Sequence, residues 1–178
     1  MFDFKNTKVP GLVVIDVKVF RDNRGGFVKT FHRDQFAANG LDFVPSEEFY
    51  SSSALGVLRG MHFQMPPMAH SKLVYCVKGS VLDVVVDLRK GENFGVYHSE
   101  ILAEDNNRML FIPCGCAHGF LATSNDATLI YKTDTVYSPE CDAGILWDSF
   151  GFRWPDSKPV LSARDGGHPP LSDFKSPF

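Results

Sequence analysis

The stretch GVLRGMHFQ, residues 56–64, sets one arginine and one histidine inside an apolar, strand-like pattern. Arg59 and His62 are costly to bury unless something pairs or uses them. Histidine titrates near neutrality and is the commonest general base. A lysine beside it stabilises a developing oxyanion, and a tyrosine serves as acid on the opposite side of a substrate. His62, Lys72 and Tyr131 supply these three groups on neighbouring candidate strands. The chemistry that suits them is metal-free proton transfer, taken from one face of a substrate and returned to the other. Each residue alone also has a structural reading: a hydrogen-bonded histidine, a lysine starting a strand at the surface, a core tyrosine.

A metal is the competing chemistry. PCGCAHGF, residues 113–120, has the P-x-G-x-x-H arrangement that closes the second motif of cupin barrels. A metal-binding cupin also needs an H-x-H pair and a glutamate upstream. The corresponding stretch here is MHFQ, where His62 is followed by Gln64. Divalent sites take three or four protein ligands, and His62, His70 and His118 would have to be rearranged to make one. The reading is a barrel kept and a metal lost. Cys114 and Cys116 are too close for an ordinary zinc knuckle. With Cys76 and Cys141 they read as reduced structural thiols, in keeping with cytosolic usage.

Short apolar, β-branched runs separated by Gly, Pro, Asn and Asp must position these groups. The spacing predicts strands over 11–20, 27–31, 56–64, 72–78, 81–88, 96–103, 109–112, 118–123 and 128–137. One short helix is expected over 32–40, closed by Gly40. This pattern indicates a mainly β protein, an antiparallel sandwich or jelly roll with a few short helices. It reads as a single domain over 1–178 with a Pro-, Gly- and Ser-rich tail from about 157 wrapping the surface. In 81–88, Asp83 and Asp87 share a face with Val81 and Val85, so the two acids either line a cavity or form a solvated face. Tyr131 and Tyr137 share parity but lie about 20 Å apart on a straight strand, so only a bend brings both into one pocket. Arg59 and His62 have opposite parity, and Gly60 between them permits a bulge that re-aims one.

The chain has 178 residues, 44% of them hydrophobic, enough for a real core. A formal charge of −3 gives no electrostatic case for nucleic acid or an anionic membrane. No apolar run approaches the ~20 residues of a spanning helix, and the N-terminus lacks the pattern of a signal peptide. The expected location is the cytoplasm.

DNRGGF (22–27), GVLRGMHFQ (56–64), SKLVYCVKGSVLDVVVDLRKG (71–91), PCGCAHGF (113–120), LIYKTDTVYSPE (129–140), GILW (144–147) and LSARD (161–165) appear in the order seen in dTDP-4-dehydrorhamnose 3,5-epimerases. The chain resembles that family over nearly its whole length, and R-G-[LM]-H-[FY]-Q is the sharpest block. The resemblance implies a cupin-type jelly roll, metal-free and without cofactor, typically a homodimer, that epimerises a nucleotide-linked 4-keto-6-deoxysugar. By position it implies His62 as base, Asp165 as the acid that orients it, Lys72 near the C4 oxygen and Tyr131 returning a proton. It places Arg59 and Arg24 at the substrate's diphosphate, Tyr137 near nucleotide and sugar, and His118 close to the pocket. Several positions depart from the family pattern: Gly26 replaces an aromatic and Lys29 a glutamate, and Glu47, Glu48 and Phe49 stand where a Q-x-N is usual. In the family these positions line the substrate site, partly from the partner subunit. Inversion at one centre, on a CDP-linked sugar read by Lys29, is therefore the alternative. The alternative from another class is a non-catalytic nucleotide-sugar-binding cupin.

Overall fold

The structure is a computed structural model that describes residues 1–178. Its strands are β1 (Phe2–Asn6), β2 (Val13–Val17), β3 (Val19–Asp22), β4 (Gly25–Val28), β5 (Glu47–Ser53), β6 (Leu58–Gln64) and β7 (Lys72–Lys78). They continue with β8 (Ser80–Asp87), β9 (Tyr97–Ala103), β10 (Arg108–Ile112), β11 (Cys116–Ala122), β12 (Ala127–Thr133) and β13 (Asp142–Gly144). Two short helices, α1 (Arg33–Ala38) and α2 (Ala163–Gly166), and one 3-10 turn at Leu171–Asp173 complete the chain. No helix is long and apolar enough to cross a membrane.

The strands form two antiparallel sheets, ordered β1-β2-β10-β7-β12-β5 and β13-β6-β11-β8-β9, with β3 and β4 as a separate hairpin. Because side chains alternate along a strand, each sheet has an inner and an outer face. Val74, Leu110 and Leu129 of the first sheet meet Val81, Val85 and Phe120 of the second in the central cluster. The outer face of the second sheet carries Val84, Val86 and Leu88, and residues from Ile145 to Phe178 cover it. On the outer face of the first sheet, Leu73, Tyr75 and Met109 pack against Phe36 of α1 and Phe43.

Burying both faces settles the acidic parity set. Asp83 is 0% and Asp87 1% exposed, so the solvated reading is excluded, and neither acid lines the cavity between the sheets, so the cavity reading fails as well. Asp87 pairs with Arg89 at 2.5 Å and Asp83 with His118 at 2.7 Å.

The expected strand over 128–137 ends at Thr133, where the chain turns. Thr133 Oγ1 donates to Thr135 O at 2.8 Å, and Asp134 Oδ1 accepts the Ser71 N–H at 2.8 Å. Only Phe27 and Val28 of the run over 27–31 are strand, and the run over 11–20 divides at Lys18 into β2 and β3. The expectations had no place for β1, β5 or β13. FDFKN alternates but is short and fully buries no residue, EEFYSSS is mostly exposed, and DAG is three residues long, so none stands out as a strand.

Candidate active site

A cavity of about 400 Å³ opens between the two sheets. Arg59, His62 and Gln64 reach it from β6 and His118 from β11; Lys72 and Tyr131 reach it from β7 and β12 on the facing sheet. The bulge that Gly60 permits is what lets β6 supply both Arg59 and His62. Arg59 stands opposite Phe120 and His62 opposite His118, so Gly60 and Met61 together face the lone Gly119. Met61 turns outward into the apolar cluster beneath the sheet, and its two polar neighbours both face the cavity. Gly60 has φ +131°, and a Cβ there would lie 2.5 Å from the Gly119 Cα.

His62 Nε2 lies 2.6 Å from Asp165 Oδ1. Asp165 sits in α2, whose N-cap Ser162 Oγ accepts the Asp165 N–H at 3.1 Å. Its other oxygen accepts the Gly60 N–H at 3.4 Å, so the carboxylate ties the bulge to the tail. Burial works against this carboxylate, but its hydrogen bonds with His62, Gly60 and Ser162 together hold its pKa below the usual range. Burial also lowers the His62 pKa, and the attraction of Asp165 only partly opposes it. The imidazole is therefore neutral at pH 7. With an ionised partner on Nε2, its proton is assigned there and Nδ1 is left to accept another.

Lys72 is 8% exposed, and its Nζ donates to the His62 carbonyl at 3.2 Å. Burial lowers its pKa to about 8, with Asp142 and Asp83 opposing the fall. The Tyr131 hydroxyl lies 3.0 Å from Ser51 Oγ, and burial raises its pKa, so it stays protonated. Phe49 stacks flat on the Tyr131 ring at 4.8 Å and 13°. His118 meets that ring edge-on at 6.1 Å while its Nε2 is held by buried Asp83. Arg59 donates Nε to Ser53 Oγ at 2.9 Å and Nη2 to Ser52 O at 3.1 Å, two of its five N–H donors. Tyr137 reaches the same cavity because Glu47 Oε2 accepts its backbone N–H at 2.7 Å after the bend.

The family model described as dTDP-4-dehydrorhamnose 3,5-epimerase matches residues 6–173. The chain belongs to the dTDP-4-dehydrorhamnose 3,5-epimerase family. The Shigella flexneri dTDP-4-dehydrorhamnose 3,5-epimerase is 41% identical over 165 residues, 89% of this chain and 90% of its own. The Legionella pneumophila dTDP-6-deoxy-D-glucose-3,5-epimerase, solved in complex with dTDP-4-keto-L-rhamnose, superposes with a TM-score of 0.92 at 31% identity, covering 98% of this chain and 95% of that one. ChmJ, a 3'-monoepimerase from Streptomyces bikiniensis solved with dTDP-quinovose, gives 0.88 at 30% identity, covering 93% and 86%. The protein is thus a carbohydrate epimerase on a cupin-type jelly roll.

Two expected substrate contacts of the epimerase are absent from its own cavity. Arg24 lies in the turn of the β3–β4 hairpin, exposed and bound to Asp22 at 2.5 Å, and Lys29 follows β4. Neither lines the cavity, because the hairpin belongs to neither large sheet. Nor do His62, His70 and His118 converge on one point: His118 is committed to Asp83, and His70 Nδ1 takes the Gln64 amide at 3.1 Å. Arg164 and Asp142 line the epimerase cavity without having been anticipated. Arg164 Nη2 pairs with Asp142 Oδ2 at 2.6 Å, and Tyr137 Oη lies 3.4 Å from the same oxygen. The position of Arg164 directly before Asp165 was the one signal available for it.

Proposed function

We propose that this epimerase inverts C3 and C5 of a dTDP-linked 4-keto-6-deoxyhexose through an enolate, with His62 as base and Tyr131 as acid. The observation that carries the reading is the opposition of the two groups. His62, neutral and held by Asp165, stands on one sheet; Tyr131, protonated, stands on the other. Protons at C3 and C5 are acidic because the C4 ketone accepts their charge. The Lys72 ammonium stabilises that enolate, and acid–base and oxyanion contributions of this kind are each worth about 3–5 kcal/mol. Arg59, with N–H groups to spare beside the cavity, suits the diphosphate. A pure binding module has no need of an opposed base and acid, which counts against the non-catalytic reading. The relatives described above act on or bind dTDP-sugars, which favours a dTDP-linked over a cytidine-linked substrate.

The acting form in this proposal is a homodimer. The β3–β4 hairpin leaves Phe20 43% and Phe27 61% exposed, with Arg24 and Lys29 beside them. A hairpin that reaches the partner's cavity accounts for both the exposed rings and the displaced cations. All four cysteines are free, which fits a reducing cytoplasm.

Incubation with a dTDP-4-keto-6-deoxyhexose in D2O, followed by NMR, tests the reaction. Deuterium is expected at C3 and C5 with inversion at both; label at one centre alone would make the protein a monoepimerase. His62→Asn is expected to slow exchange by about 10²–10⁴-fold. Tyr131→Phe is expected to wash deuterium in with retained configuration. Wild-type exchange in folded His62→Asn would remove His62 from the base role.

A further inference from the structure

His168 takes no part in the reaction above, yet its imidazole lies against the His62–Asp165 pair. Its Nε2 is closed off from solvent and has no hydrogen-bond partner. An orphaned buried nitrogen is costly, and such groups call for an explanation. This one stands 3.9 Å from Asp165 Oδ1, the same oxygen that lies 2.6 Å from His62 Nε2. The two imidazoles meet edge to face with centroids 5.8 Å apart. A ligand atom from each of the three residues falls within 4.8 Å of the others.

We propose that His62, Asp165 and His168 form a binding site for a late divalent transition cation, with zinc the best fit, and that the bound ion silences the enzyme. Two imidazoles, one carboxylate and an open fourth position are a donor set that zinc accepts in catalytic-type sites. Bonds of about 2.0–2.1 Å place tetrahedral ligand atoms about 3.3 Å apart. The observed 2.6 and 3.9 Å separations bracket that spacing, and the three ligand atoms lie within 4.8 Å of one another, so the imidazoles must shift to close on an ion. Of the three ligand residues only His62 lines the cavity, so the ion would sit behind the imidazole, on the side away from the substrate. Gly144, paired with His62 across β13 and β6, makes room for the second ring. A Cβ at Gly144 would sit 2.4 Å from His168 Nε2. Of the nearby cations, Arg164 and then Lys72 oppose a positive charge here, and Asp142, 2.6 Å from Arg164, offsets part of the first.

The inhibition rests on the base role given to His62. Zinc on Nε2 displaces the proton held there, and the neutral ring keeps that proton on Nδ1. No proton is released, but the nitrogen that would take the substrate proton is now capped. The ion therefore competes with catalysis at the base itself.

Chelator-treated protein titrated with ZnCl2 by calorimetry, and with Co2+ by visible absorption, tests the site; solvent-exchange turnover is read in parallel. The expected result is one bound ion per chain, a cobalt d–d band, and turnover lost with zinc and restored by EDTA. His168→Ala and His168→Asn are each expected to lose the cobalt band. Their zinc affinity should fall by at least the roughly 10–100-fold that loss of a supporting residue costs a metal site. Metal-free turnover in these variants should match wild type. No zinc binding at micromolar concentrations, or binding unchanged in both folded variants, overturns the site. Zinc bound through His168 with turnover unimpaired overturns the inhibition, while the base role of His62 is judged separately by exchange in metal-free His62→Asn.

Discussion

Lys72 makes a pH dependence readable at the level of one residue. The proposed base works neutral, and burial sets its pKa below the ordinary histidine value of 6.5. Lys72 works as a cation, and its pKa is about 8. The value of kcat/KM is therefore expected to rise through an acid limb below pH 6.5, as His62 loses its proton. It should fall through an alkaline limb near pH 8, as Lys72 loses its own. Lys72→Arg should push the alkaline limb far upward because guanidinium keeps its proton. Lys72→Met should remove the limb and cost about 10²–10³-fold in rate. A limb still near pH 8 in Lys72→Arg would assign it to another group. His62, Lys72 and Tyr131 were legible in the sequence because each is a polar group in an apolar run. Asp165 entered only through the family resemblance, since it lies 103 residues from the histidine it orients. His168, Arg164 and Asp142 gave no pattern of their own. Their placement depends on how the tail and β13 dock against β6, which no local spacing encodes.

At the scale of elements, the bulge in β6 decides whether a strand can carry this chemistry. Gly60→Ala adds a Cβ against the Gly119 backbone at a φ of +131°. Backbone strain and overpacking together are expected to cost about 2–5 kcal/mol. Urea melts should show the loss as a lowered midpoint, and the folded fraction should turn over slowly because His62 is re-aimed. A midpoint equal to wild type would mean that the bulge accommodates a side chain. Strands with clear apolar alternation were legible: the runs over 56–64, 72–78, 81–88, 96–103, 109–112 and 118–123 lie within two residues of β6 to β11. β5 was missed although it carries Glu47, Phe49 and Ser51 into the cavity. Its EEFYSSS pattern is mostly exposed, so burial could not mark it. The end of β12 was overrun for a related reason. Thr135 and Tyr137 continue its alternation on paper, while Asp134 and Glu47 bend the chain by hydrogen bonds to residues distant in sequence.

For the whole molecule, the exposed hairpin sets the expected assembly. Light scattering on a sizing column should give twice the 19.8 kDa chain mass. Phe27→Asp should move the protein toward monomer, because a charge cannot be buried unpaired in an apolar contact. It should also raise KM, since Arg24 and Lys29 would then leave the partner's cavity. A wild-type monomer at micromolar concentration, or a Phe27→Asp dimer with unchanged KM, would overturn the shared site. The layered β architecture was readable from strand spacing, but which surface meets another copy was not, because exposed Phe20 and Phe27 look in the sequence like core residues. The tail has a consequence in time as well as in space. It brings Asp165 to His62 across 103 residues. A ribosome adding roughly 5–20 residues per second needs about 5–20 s to cover that stretch. During that interval the nascent chain carries an imidazole with no carboxylate to aim it. If His62 is the base, the half-made chain carries it unaimed, and a message cut short before the tail would lack both that carboxylate and the residues that cover the outer face of the second sheet.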